Sequence, residues 1–184
     1  EVPGRMLRIF ERGHVMEDCM VEWLRAAGFD LRTRKPSGDQ FGFSAVGGRL
    51  QGHIDGVIVD GPEGFAYPAL WECKCLGSKS WRDLEKNRLA VAKPIYAAQV
   101  AIYQAYLELH EQPAIFTAIN ADTMEIYTEP VPFDAALAQR MSTRLAYWRA
   151  EIRVPQTPAL LLVPSKVAGG ADGKAPNSAG TKIR

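Results

Sequence analysis

Apolar side chains along this chain recur in two rhythms, three to four residues apart in some stretches and every second residue in others. Over residues 8–27, Val15, Met16, Cys19, Met20, Trp23, Leu24 and Ala27 fall at helical spacing, which predicts an amphipathic helix. Gly28 then supplies a left-handed stop. Residues 31–38, with Pro36, Ser37 and Gly38, read as a loop. Three strands follow near 39–46, 49–59 and 68–75, with Gly47-Gly48 and the Asp-Gly-Pro-Glu-Gly run at 60–64 as hairpin turns. Such a meander sets the second strand beside the third. The polar, basic stretch 76–94 holds a short helix around 81–91. Pro94 opens another helix, where its missing N–H costs nothing, and this one runs to about His110. Strands at 114–119 and 124–128 turn through Asn120-Ala121-Asp122, and 134–152 is a last amphipathic helix with Asp134 as its N-cap. Pattern alone gives an α/β or α+β fold.

At 184 residues, 47% apolar and 23% charged, the chain has the make-up of one ordinary globular domain. Its net charge of +1 is unevenly spread: residues 155–184 carry +3, leaving −2 on residues 1–154. That balance argues against a large, uniformly basic binding face. We divide the chain into a domain over 1–154 and a Pro/Gly-rich basic tail over 155–184. The tail is expected to be mostly disordered, with Leu160-Leu161-Leu162-Val163 able to dock on the body. Cys19, Cys73 and Cys75 form no even disulfide framework and no Cys-x-x-Cys pair, which disfavours a redox or zinc protein. With no signal peptide and no apolar run long enough for a bilayer, the expected location is the cytoplasm of a bacterial or phage-infected cell, with no membrane partner.

The chemistry concentrates at two neighbouring strands. Asp55 stands in an apolar run, and Glu72-Cys73-Lys74 follows on the next strand. Alternation puts Glu72 and Lys74 on one face and Trp71, Cys73 and Cys75 on the other. Two half-buried carboxylates are costly unless they pair or bind a cation, and hard oxygen ligands suit Mg²⁺ or Mn²⁺. A nearby ammonium can hold or activate a water. Phosphodiester cleavage is the chemistry such a group performs.

An acid on one strand and Glu-x-Lys on the next resembles the PD-(D/E)XK nuclease superfamily. Gly13-His14-Val15-Met16-Glu17 upstream and Gln99-Val100-Ala101-Ile102-Tyr103 downstream are similar to the flanking motifs of its RecB, phage lambda exonuclease and YqaJ branch. The resemblance covers roughly residues 8–110. It implies a restriction-endonuclease-like core, a mixed central sheet flanked by helices. It further implies that Glu17, Asp55, Glu72 and the Cys73 backbone carbonyl hold one or two Mg²⁺ or Mn²⁺ ions; the four-cysteine iron–sulfur cluster of some RecB-like nucleases is not expected, since no cysteine follows Cys75. Lys74 would orient or deprotonate the attacking water, while Gln99 and Tyr103 would brace the site. His14 and His53 are further candidates, and Lys79, Trp81, Arg82 and Lys93 form a candidate DNA-binding segment. The function so implied is a metal-dependent DNA nuclease, foremost an exonuclease on linear double-stranded ends in phage-type recombination or repair. A homo-oligomer and a single-strand annealing or recombination protein are the implied partners. The alternatives are a structure-specific or restriction-type endonuclease of the same fold, or a catalytically silent nucleic-acid-binding module.

Overall fold

The computed structural model describes residues 2–45 and 50–147. The expected Gly47-Gly48 turn, the end of the last helix and the whole 155–184 tail lie outside the described residues. The fold is mixed α+β. A five-stranded sheet has the order β1 (Asp30–Arg32), β4 (Gly56–Asp60), β5 (Ala69–Leu76), β6 (Ala114–Asn120), β7 (Ile126–Val131). β5 and β6 run parallel and the other neighbours antiparallel. β2 (Gly42–Ala45) and β3 (Leu50–His53) form a separate two-stranded sheet.

Residue alternation on the strands sorts the core into two layers. Ile58, Ala69, Trp71, Cys73, Ile115 and Ile119 face α1 (Gly4–Ala26), where Met20 and Val21 are buried against them. Leu70, Phe116 and Ala118 face the opposite way, toward α2 (Ser78–Ala92) and α3 (Pro94–Tyr106). Burying a large apolar side chain stabilises by roughly 1.5–3 kcal/mol. Met20 and Val21 therefore pin α1 and hold Glu17, one turn earlier, at the rim of the sheet. Gly28, at φ 93, ends this helix in the left-handed region as its sequence position predicts.

Several boundaries depart from the pattern, α1 starting already at Gly4 and β7 running from Ile126 to Val131. The expected loop over 31–38 begins as β1, an edge strand whose Leu31 is buried and pairs with Ile58. α3 ends at Tyr106 and not near His110, because Glu108 turns to φ 56 and Leu109 donates its N–H back to Gln104 O at 2.9 Å. That turn buries both Leu107 and Leu109. Last, the run 49–59 is two strands and not one. Ile54 and Asp55 form a bend between β3 and β4, so Asp55 is not mid-strand. Ile54 is fully buried and donates its N–H to Phe41 O at 3.1 Å, while Gly56 threads a close passage. A Cβ on Gly56 would stand 2.7 Å from Leu31 Cδ1 and 2.9 Å from Arg32 O.

α2 is longer than expected and kinks at Arg88, whose φ is 62. The buried Glu129 on β7 secures the kink, accepting from Leu89 N at 2.9 Å and Arg88 Nε at 3.0 Å. α4 spans Ala135–Tyr147, and Asp134 Oδ1 caps it by accepting from Leu137 N at 2.8 Å. Among the described residues no helix is long and apolar enough to cross a membrane.

Candidate active site

The β4–β5 register pairs Gly56 with Trp71, which brings Asp55, just before the strand, beside Glu72. Asp55 Oδ2 accepts a hydrogen bond from Cys73 N at 2.8 Å, fixing its carboxylate. Glu72 is 1% exposed on the face of β5 that α3 covers. Lys74 projects from the same face and donates to Glu72 Oε1 and, at 3.1 Å, to Cys73 O. Its Nζ lies 3.9 Å from Asp55 Oδ2 and 5.6 Å from the centre of the Tyr96 ring. The lysine ammonium thus stands among three of the four oxygen groups that the resemblance implies for a metal, Glu17 being the fourth.

Burial dominates the electrostatics. It raises the Glu72 pKa to about 7, with the Asp55 charge adding to the effect and Lys74 opposing it. Burial also raises Asp55, against the pull of Lys74 and the Cys73 N–H. Glu17, half-buried on α1, is raised by burial and then by Asp55. For Lys74 burial works against the charge, but Glu72 and Asp55 together outweigh it and its pKa rises. The ammonium gains more from the two acids than burial takes, whereas Glu72 loses more to burial than the ammonium returns. The cluster is short of positive charge.

One atom makes the shortage concrete. Glu72 Oε2 is buried with no hydrogen-bond partner among the described residues. An ionised carboxylate in that state is costly, and either a proton or a second cation relieves it. Asp55, Glu72 and the Cys73 carbonyl offer only oxygen atoms, a donor set that suits Mg²⁺ or Mn²⁺. Among the described residues no three His, Cys, Asp or Glu side chains are gathered as a metal cage. Side chains alone would not fill an octahedral shell here, so the carbonyl and water or substrate oxygens would complete it. The residues fit a Mg²⁺-type ion held from one side.

The other sequence candidates fall into three groups. Gln99 and Tyr103 meet on one face of α3, with Gln99 Nε2 donating to the Tyr103 hydroxyl at 2.9 Å. Burial raises the Tyr103 pKa, and the charges of Glu72, Lys74 and Asp55 all reach it, so this pair does border the cluster. His14 is exposed on α1 and its charge lowers both Glu17 and Asp55, which places it near the rim. His53 belongs to the small β2–β3 sheet and so does not share a strand face with Asp55. The basic segment is divided. Lys79 and Arg82 are exposed, but Trp81 is 3% exposed and packs edge-on against Tyr127, closed to base stacking. Lys93 is turned inward, 3.2 Å from Ser80 Oγ and 3.7 Å from Asp83 Oδ2.

Cys73 faces α1, and burial pushes its thiol up to about 12, so it stays protonated and takes part through its backbone. Sequence reasoning passed over Tyr96, although its spacing to Gln99 and Tyr103 sets all three on one face of α3. It also passed over Arg25 and Arg34. With Glu17 and Asp55 they line a cleft of about 340 Å³ that leads from the cluster between α1 and the β1 edge. No local spacing signals those two arginines, since they come together only through the β1 strand that the pattern hid.

No family model matches the chain, and no curated protein matches it. One solved structure, that of a protein named SSO0001, is similar with a TM-score of 0.40 and 17% identity, over 77% of this chain and 60% of that one. The chain spans less than two thirds of that protein's length.

Proposed function

We propose that this protein is a metal-dependent DNA nuclease of the PD-(D/E)XK type, acting on the ends of linear duplex DNA. The observation that carries the reading is the partnerless, buried Glu72 Oε2 beside Asp55 and Lys74, an acid pair arranged to accept a divalent cation. A bound ion would be held by Asp55, Glu72 and the Cys73 carbonyl, with Glu17 near the cleft. It would supply Lewis-acid stabilisation of the scissile phosphate and a more acidic water.

The chain's own residues do the rest. Lys74 keeps its proton, because two carboxylates favour the ammonium. With two of its three N–H groups on Glu72 and Cys73 O, it has one left for the attacking water or a non-bridging phosphate oxygen, and is not the base. The Cys73 N–H holds Asp55 in one rotamer, so that its free oxygen is presented and not buried. Tyr96 and Tyr103 wall the cluster from the α3 side, excluding bulk water and strengthening each charge interaction. Arg25 and Arg34 line the cleft beside four carboxylates, Glu17, Asp18, Glu22 and Asp55, so the cleft favours the entry of a cation.

The test is incubation of the protein with end-labelled linear duplex and with covalently closed circular DNA, each with Mg²⁺ and with EDTA. The expected result is Mg²⁺-dependent loss of the linear substrate with the circle intact. Cleavage that persists in EDTA overturns the metal reading, and rapid nicking of the circle turns the reading to an endonuclease.

A further inference from the structure

Next to the candidate site lies a groove that the nuclease chemistry does not use. It runs between the β2–β3 hairpin, α3 and α4 and encloses about 560 Å³. Ala98 and Ile102 form its floor and Phe43, Ile95, Leu137 and Met141 its walls. Ile95 is 79% exposed, an unusual position for an isoleucine beside other apolar groups. We propose that this groove receives unpaired nucleobases of the substrate strand, a reading that rests on the nuclease function above.

Three observations select this occupant. First, the described residues that line the groove include no Asp, Glu, Lys or Arg, so among them a phosphate meets no counter-charge. A base, with an apolar face and a polar edge, fits such a lining. Second, the polar groups it does offer are the amides of Gln51 and Gln99, which present both donors and acceptors to a base edge. Third, one residue, Tyr103, borders both the groove and the cluster. The Tyr103 ring lines it and packs edge-on against Phe43 at 5.9 Å, while its hydroxyl side faces Gln99 and feels the Glu72 charge. A base held there belongs to the same strand as a phosphate at Glu72. Bases inside an intact duplex are stacked and paired and cannot enter, so the groove calls for a frayed or single-stranded end.

The experiment uses the full chain in EDTA, so that binding is read without cleavage. Fluorescence anisotropy compares a labelled oligothymidylate with an abasic strand of equal length and equal phosphate count. The expected preference for the base-bearing strand is roughly tenfold, within the range of base stacking on aromatic and apolar side chains. The surface substitutions Ile95→Ser and Met141→Gln, both uncharged, should each shrink that preference and leave abasic binding unchanged. Equal affinity for the two strands, or no binding of either, overturns the proposal without needing any variant. A preference that survives both substitutions also overturns it. So does an Ile95→Ser change in oligomeric state by light scattering with the base preference intact, which would assign the groove to a second copy. Parallel Mg²⁺ cleavage of end-labelled duplex tests the nuclease reading separately, since the metal-free comparison decides the groove whichever way cleavage falls.

Discussion

Replacing Glu72 by glutamine should stabilise the metal-free protein, although it removes a buried ion-pair partner. The Glu72 pKa rises from 4.5 unfolded to about 7 folded, with burial as the first cause and Asp55 the second. A raised folded pKa means that the native state binds this proton more tightly than the unfolded chain does. Between pH 4.5 and 7 the native state keeps a proton that the unfolded chain has released, so stability falls as pH rises through that window. At 1.36 kcal/mol per pKa unit, the cost of the ionised form above pH 7 is about 3 kcal/mol. Asp55 and Glu17 are shifted the same way and deepen the decline. Glu129 is lowered, so its contribution is lost only as pH falls below 4.5, outside the window. Thermal melts in EDTA from pH 5 to 8 provide the assay. Wild-type Tm should drop across the range, and Glu72→Gln at pH 8 should melt roughly 6–12 °C higher, from about 2–4 °C per kcal/mol for a chain of this size. Mg²⁺ at one hundred times its Kd should restore about 2.7 kcal/mol to the wild type and little to the variant. Wild-type stability that rises from pH 5 to 8, or a Glu72→Gln protein that melts lower at pH 8, would refute the argument.

Lys74→Ala should abolish cleavage while Mg²⁺ still binds, because Asp55, Glu72 and the Cys73 carbonyl remain; isothermal titration and the linear-duplex assay separate the two, and normal cleavage would remove the lysine from the chemistry. Gly52→Ala should reduce cleavage with less effect on metal affinity, since a Cβ there would stand 2.6 Å from Tyr103 Cε1 and must displace that ring. Trp81→Ala should cost about 3–5 kcal/mol as a core truncation and leave the affinity of the remaining folded protein for DNA unchanged. Melting curves and anisotropy at low temperature check both halves, and a specific loss of DNA affinity would return Trp81 to the binding surface.

Much of the site was legible because it is local. Glu72 and Lys74 are two residues apart on a strand, and Gln99 and Tyr103 four apart on a helix, so periodicity alone puts each pair on one face. The packing of α1 was legible in part: Met16, Met20 and Leu24 turn to the sheet as their spacing predicts, whereas Val15 and Trp23, read on the same face, are exposed. What escaped depends on tertiary context. Trp81 and Lys93 share a basic segment with Lys79 and Arg82, yet helix rotation turns the tryptophan inward to Tyr127, and the lysine, just past the helix end, is paired with Asp83. β1 is three residues long and owes its place to β4, so no run of apolar residues marks it.

Asp55 is the residue on which the pattern was most informative and also wrong in detail. Ile54, Val57, Ile58 and Val59 make the run look unbroken, because apolar residues occupy both the bend and the strand after it. The break has a chemical consequence. Inside β4 the backbone would be committed to the ladder, and its side chain would be confined to one face of the sheet by the pleat. At a bend the carboxylate is free of that alternation. Asp55 can reach over to the Cys73 N–H on β5 while remaining 16% exposed toward the cleft that Glu17, Arg25 and Arg34 line. Glu72, inside its strand, has no such freedom and is buried. In the proposed site the two acids would therefore divide the work: Glu72 would supply a dehydrated oxygen that needs a cation, and Asp55 the opening through which the cation enters.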